Sequence, residues 1–226
     1  MPRDTLIQVR RDTLTNWSTV NPILASGEPG LETTTNRTKV GDGTTAWNSL
    51  IYQNVPFYGS FYSTATITGS TTISGTGYSY LGTSFQTDVS HGVSITGSVN
   101  NLITFQYAGV YNVQFSAQFD NTDSEDQDIN IWIEKNAVGS FIANSNSRVT
   151  VPKRKPNSGP FGRVLPSWDF IVQVNAGDWI RFVWSARDHA TGLSVSTTRL
   201  ASYSAETSPI EIPATPSVII TVQQLK

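Results

Sequence analysis

The clearest pattern along the chain is the alternation over residues 109–119. Tyr111, Val113, Phe115, Ala117 and Phe119 fall on one face, with smaller or polar residues between them. A period of two is that of a half-buried strand. The same texture recurs where Ile129, Ile131 and Ile133 share a side, and again over residues 170–174, 179–184 and 216–225. Further extended runs are predicted over residues 58–68, 78–89, 93–96, 102–105 and 140–151. Gly69, Gly75-Thr76-Gly77, Ser90-His91-Gly92, residues 97–101, Lys135-Asn136 and Asn175-Ala176-Gly177-Asp178 supply the breaks. Strands so spaced leave no room for long helices and predict a two-sheet sandwich.

The first fifty residues differ in texture. Residues 6–10 alternate as a strand does, and Asp12 or Thr13 can cap a short helix by accepting first-turn amides. Pro22 and Gly27 stop that helix near Asn21. Lys39-Val40-Gly41-Asp42-Gly43 predicts a strand entering a tight turn. So short a stretch holds few large apolar groups and makes a poor core alone. The missing burial is expected from other copies of the chain.

Composition sharpens the strand reading. The chain has 226 residues, of which 14% are charged and 11% aromatic, with many Thr and Val, a balance that suits pleated sheet. The formal charge of −2 shows no broad attraction to nucleic acid or anionic membrane. No cysteine is present, so disulfides and thiolate metal sites are excluded. Residues 1–4 precede no long apolar run, and neither a secretory signal nor membrane insertion is expected. Asn16-Trp17-Ser18 and Asn36-Arg37-Thr38 fit the glycosylation pattern but are expected to go unused.

Catalytic groups are sparse. The two histidines, His91 and His189, sit in turn-like settings, and Asp188 beside His189 does not make a dyad, because neighbours on a strand point oppositely. No enzyme activity and no cofactor are expected. The acidic stretch 120–128 offers Asp120, Asp123, Glu125, Asp126 and Asp128 as calcium candidates, though without EF-hand spacing; a solvated loop is the plainer alternative. Lys153, Arg154 and Lys155 form a basic loop suited to an anionic partner or simply to a hairpin tip. Tyr78, Tyr80 and Tyr203 are candidate contacts for a glycan. Gly27-Glu28-Pro29-Gly30 and Gly41-Asp42-Gly43 open no helix after a strand and are turns, not phosphate loops.

Two constellations resemble known families. Gln8-Val9-Arg10-Arg11, Trp17, Asn21-Pro22, Gly27-Glu28-Pro29-Gly30, Glu32-Thr33 and the run 39–48 resemble the amino-terminal module of bacteriophage fibre proteins, of the tropism-determinant and head-fibre type. Residues 105–111, 131–136 and 174–180, with Gly-Val-Tyr at a strand start, a Lys-Asn turn and Ala-Gly-Asp before a strand, resemble the jelly rolls of the C1q and tumour-necrosis-factor superfamily. The resemblances imply an all-β chain with an attachment module over residues 1–55 and a β-sandwich over residues 56–226, assembled as a homotrimer. Trp168, Phe170, Trp179, Phe182 and Trp184 are then expected to be shared between core and subunit interface. The implied role is a virion fibre, on tail or head, held to other virion proteins by the amino-terminal module and binding a host-surface glycan or protein. A capsid decoration (cement) protein is the alternative. A glycan-degrading tailspike stands further off, since it needs carboxylates about 5–10 Å apart. A cellular lectin-like domain leaves residues 6–52 unexplained.

Overall fold

The computed structural model describes residues 9–53, 55–68, 77–156, 159–191, 196–206 and 211–225. It divides into two compact units, Met1–Val55 and Pro56–Lys226. The expected strand residues 6–8, Gly69, Gly75-Thr76 and Asn157-Ser158 lie outside the described residues.

The first unit holds β1 (Arg10–Asp12), α1 (Leu14–Val20), β2 (Pro29–Glu32), β3 (Arg37–Val40) and a 3-10 turn (Trp47–Ser49). Thr13 caps α1 by accepting the Asn16 amide at 3.3 Å, while Asp12 accepts the Thr13 amide at 2.8 Å. Asn21 ends the helix in the left-handed region at φ 45°. β2 pairs with β1 in parallel and with β3 antiparallel. The unit has a small core of its own, while Leu14, Val20, Ile23 and Ile51 stay exposed. Trp17, Leu24 and Trp47 are all buried, and Leu50 and Tyr52 pack against them.

Among the described residues, every regular element of the second unit is a strand. The first six are β4 (Tyr58–Ser63), β5 (Ile67–Thr68), β6 (Ser79–Tyr80), β7 (Gln86–His91), β8 (Val93–Thr96) and β9 (Leu102–Phe105). Then come β10 (Gly109–Ala117), β11 (Phe119–Asn121), β12 (Gln127–Lys135), β13 (Ser147–Val151) and β14 (Gly162–Val164). β15 (Ser167–Val174), β16 (Trp179–Asp188), β17 (Thr198–Leu200) and β18 (Val218–Gln224) complete it. One sheet runs β15-β10-β18-β4-β7; the other runs β13-β12-β16-β9-β8, with β6 added to β16, and a short sheet β14-β11-β17-β5 stands beside them. The long strands β10, β12, β15, β16 and β18 alternate between the two large sheets in chain order, which is jelly-roll wiring.

The alternations seen in the sequence become the core. Tyr111, Val113, Phe115 and Ala117 of β10 meet Ile129, Ile131 and Ile133 of β12, and Phe182 and Trp184 of β16 join them, all buried. The long predicted runs prove shorter. The run 78–89 breaks after Tyr80, where Gly82 takes φ 100°, and the run 140–151 is strand only from Ser147. Of the five aromatics expected to be shared, Phe182 and Trp184 are sealed in the sandwich, Phe170 and Trp179 are half-buried, and Trp168 is 57% exposed.

Candidate functional site

The inward isoleucines of β12 dictate what its other face carries. Asp128, Asn130, Trp132 and Glu134 must point away from the core. Ladder pairing sets Arg187 beside Asp128, Ser185 beside Asn130, Val183 beside Trp132 and Arg181 beside Glu134. On the opposite flank, β13 sets Thr150 beside Asp128 and Arg148 beside Asn130. The outer face of three neighbouring strands thus gathers amide, hydroxyl, guanidinium and indole groups. Asn130, Trp132, Asn146, Arg148, Ser185 and Arg187 line a shallow groove of about 260 Å³ there.

Beneath its end, a buried charge pair fixes the aromatic wall. Glu134 is fully buried and accepts from Arg181 Nε at 2.5 Å, from the Tyr78 hydroxyl at 2.6 Å and from the Gly139 amide at 2.6 Å. Arg181 lies 4.3 Å from the Tyr80 ring centre and 5.3 Å from that of Trp179. Such a pair survives burial best with its lone pairs and protons filled; those of Glu134 are, while Arg181 Nη2 is buried without a hydrogen-bond partner. Tyr78, Phe141 and Trp132 then meet edge to face, with centroids 5.5–5.8 Å apart. Trp132 is therefore wedged by two rings and keeps one side toward the groove.

Asp128 is the carboxylate on this tile. Burial opposes its ionisation, but the Thr150 hydroxyl at 2.7 Å, the His189 ring at 3.1 Å and the nearby Arg148 outweigh that and hold it below the ordinary carboxylate range. The partner of His189 is thus Asp128, across the ladder, while Asp188 caps the turn at Thr191.

The sequence candidates are dispersed. Tyr78 is buried, so its ring supports the wall instead of facing solvent, whereas Tyr80 is half-buried over Arg181. Tyr203 is elsewhere, donating its hydroxyl to Asp120, which also holds Arg163 at 3.3 Å and Arg199 at 3.4 Å. The acidic residues do not converge. Asp123 accepts from Ser124 and Gln127, Asp126 takes the Lys153 amide at 2.8 Å, and Glu125 is exposed. Among the described residues no group of three possible metal ligands forms. The acidic and basic loops meet within one chain, because the Arg154 amide also donates to the Asp123 carbonyl at 2.8 Å. Asn130, Trp132, Asn146, Arg148, Ser185 and Arg187 were not singled out in the sequence. The signal available was Trp132, a large aromatic on the side of β12 opposite its isoleucines.

In the first unit, the turn residues are the frame of the small core. The Gly27 amide donates to the Gly41 carbonyl at 2.8 Å, and the Gly41 amide to the Glu28 carbonyl at 2.9 Å. Asp42 accepts the Thr44 and Thr45 amides and both hydroxyls, which hold its carboxyl well below its usual range. The Trp17 indole donates to the Leu31 carbonyl at 3.0 Å, and buried Lys39 donates to the Trp47 carbonyl at 2.7 Å. Burial pushes the Lys39 ammonium down, opposed by Glu32.

No curated protein matches the chain. Solved structures that resemble it include murine APRIL at pH 8.0, with 9% identity, TM-score 0.44, and 76% of this chain covered against 100% of that one. Another is Eiger TNF from S. frugiperda, with 11% identity, TM-score 0.43, and 76% covered against 94%. Over residues 7–45, which include Trp17, the Gly27-to-Gly30 turn and the Gly41-Asp42-Gly43 turn, the chain matches the family model described as the Major tropism determinant N-terminal domain.

Proposed function

We propose that this chain is a structural subunit of a bacteriophage virion, a homotrimeric fibre whose residues 1–55 dock it to the particle and whose residues 56–226 present a host-binding head. The observation that carries this reading is the family match at residues 7–45, because it falls on a separately folded unit and on the residues that build it. The head acts by binding. His189 faces a carboxylate, but among the described residues no hydroxyl nucleophile bonds its ring.

Exposed apolar surface supports the trimer. β15 is an edge strand with Ile171 70% and Trp168 57% exposed, and Leu165 beside it is 53% exposed. Trp168 and Leu165 line an open cleft of about 580 Å³ whose floor is Phe115 and Ile131. On the outer face of the same sheet, Asn112 Oδ1 is buried without a hydrogen-bond partner. Unpaired edges offer a template to another chain, and contiguous apolar patches mark interaction surfaces. Three identical heads then add their weak contacts through multivalency.

Cryo-electron microscopy of the particle with this chain labelled tests the reading. The expected result is density projecting outward from the first unit at a fixed attachment point. A chain lying flat across the shell would replace the fibre role by capsid cementing, and a chain absent from purified particles would overturn the proposal.

A further inference from the structure

We infer that the groove on the outer face of β12, β13 and β16 is a subsite for one carboxylate-bearing sugar ring of a host-surface polysaccharide. Of the five arginines on strands of the sandwich, Arg163 and Arg199 are bound to Asp120 and Arg181 to Glu134. Arg148 and Arg187 are both exposed, Arg148 at the rim shared with the Trp168 and Leu165 cleft, and among the described residues neither guanidinium has a hydrogen bond or close ion pair. They flank the groove from opposite sides, one on β13 and one on β16. Asp128, beside Arg187 on the ladder and near Arg148, sets one carboxylate against these two guanidiniums and has one oxygen bonded to Thr150 and His189, so the tile keeps an excess of positive charge.

Guanidinium matches carboxylate through paired N–H donors, a geometry ammonium groups lack. Trp132 supplies a flat apolar face for the C–H side of a sugar ring, and its neighbours prevent it from turning away. Asn146 donates to Asn130 Oδ1 at 3.4 Å, and the remaining amide groups of the two offer both donors and acceptors to ring hydroxyls, above the buried Ser185. The volume, about 260 Å³, lies below the roughly 300–1,000 Å³ of drug-sized pockets and suits a single ring. A nucleic-acid strand would need a basic stripe, which a chain of net charge −2 with two isolated guanidiniums does not provide.

This inference rests on the attachment reading for the source of the sugar. Its test uses the purified full chain with methyl β-D-glucuronide as probe, methyl β-D-glucoside as neutral control, and nuclear magnetic resonance of the indole signals as readout. The glucuronide should shift the Trp132 indole in the millimolar range, with the glucoside at least about tenfold weaker. The double substitution Arg148→Gln with Arg187→Gln should weaken the glucuronide about tenfold and leave the melting temperature unchanged, because both side chains are exposed. No shift with the wild-type chain, equal shifts from both sugars, or undiminished binding by the double variant would overturn the subsite. Glucuronide binding by a chain found absent from particles would overturn the virion reading and leave the subsite standing.

Discussion

Trp17 and Trp47 stack with ring centroids 4.0 Å apart and planes 11° from parallel. Thirty residues separate them in sequence, and the contact closes the first unit around Leu24. Gly30 lies against this pair so tightly that an added Cβ would sit 2.7 Å from the Trp47 ring. Trp47→Ala should cost the unit roughly 3–5 kcal/mol, since it removes most of a small core. Gly41→Ala should also unfold it, because the new Cβ would stand 2.3 Å from the Ala25 carbonyl oxygen. Amide exchange is the check: protection in β2 and β3 should vanish while β10 and β18 stay protected.

Removing one member of the buried pair beneath the groove leaves the other charge unpaired. Glu134→Ala should therefore destabilise the sandwich by about 3–5 kcal/mol. Tyr78→Phe removes only a hydroxyl donor and should cost about 0.5–1.5 kcal/mol. Denaturant midpoints for the two variants should differ in that order.

Two turns that the sequence presents separately hold each other. Asn136 donates to Asp178 at 2.8 Å and accepts the Trp179 amide at 2.9 Å, while Lys135 reaches Asp178 at 2.9 Å. Asn136 also has φ 62°, so Asn136→Gly keeps the backbone and isolates the lost bonds. That variant should lose about 1–3 kcal/mol, and Lys135→Met about 0–1 kcal/mol, by chemical unfolding.

Alkaline stability should depend on Tyr203. Burial, then the hydrogen bond and charge of Asp120, push its phenol up to about 12, against the opposing pull of Arg163 and Arg199. An unfolded phenol ionises near 10.0, so the fold binds its proton more tightly. The stabilisation is whole below pH 10 and is lost as pH rises through about 12. Melting temperature should fall across that window, and Tyr203→Phe should flatten the fall, leaving a smaller slope from Tyr111 and Tyr52, whose phenols burial also raises.

Sedimentation at micromolar concentration should give three times the chain mass of 24.7 kDa. Ile171→Asp combined with Trp168→Ala should return the monomer mass with far-ultraviolet circular dichroism unchanged, since both side chains are exposed in the single chain. A wild-type monomer would refute the trimer.

The sandwich was legible where one face is apolar and the other polar, as in β10 and β12, because burial enforces the period. Thr13 and Asn21 as helix ends were legible too, since local hydrogen bonds set them. The run 140–151 misled because residues 140–146 carry strand-like composition but turn back on β12, with the Ile142 amide bonding the Ile133 carbonyl. The groove was hidden for a different reason. Its residues come from three strands, and from Asn146 just before β13, spanning residues 130–187, and converge only through ladder register. Tyr78 is a glycan candidate by residue type alone, yet its hydroxyl is committed to Glu134, a partner 56 residues away.

β18 lies in the middle of its sheet, between β10 and β4, although it is the last of the described strands. During synthesis, the apolar stripes of its two future neighbours must therefore wait, unjoined, until the ribosome has passed residue 224. Closure of the sandwich therefore waits for this one strand, and nascent copies crowded on one messenger are exposed to mispairing during that interval.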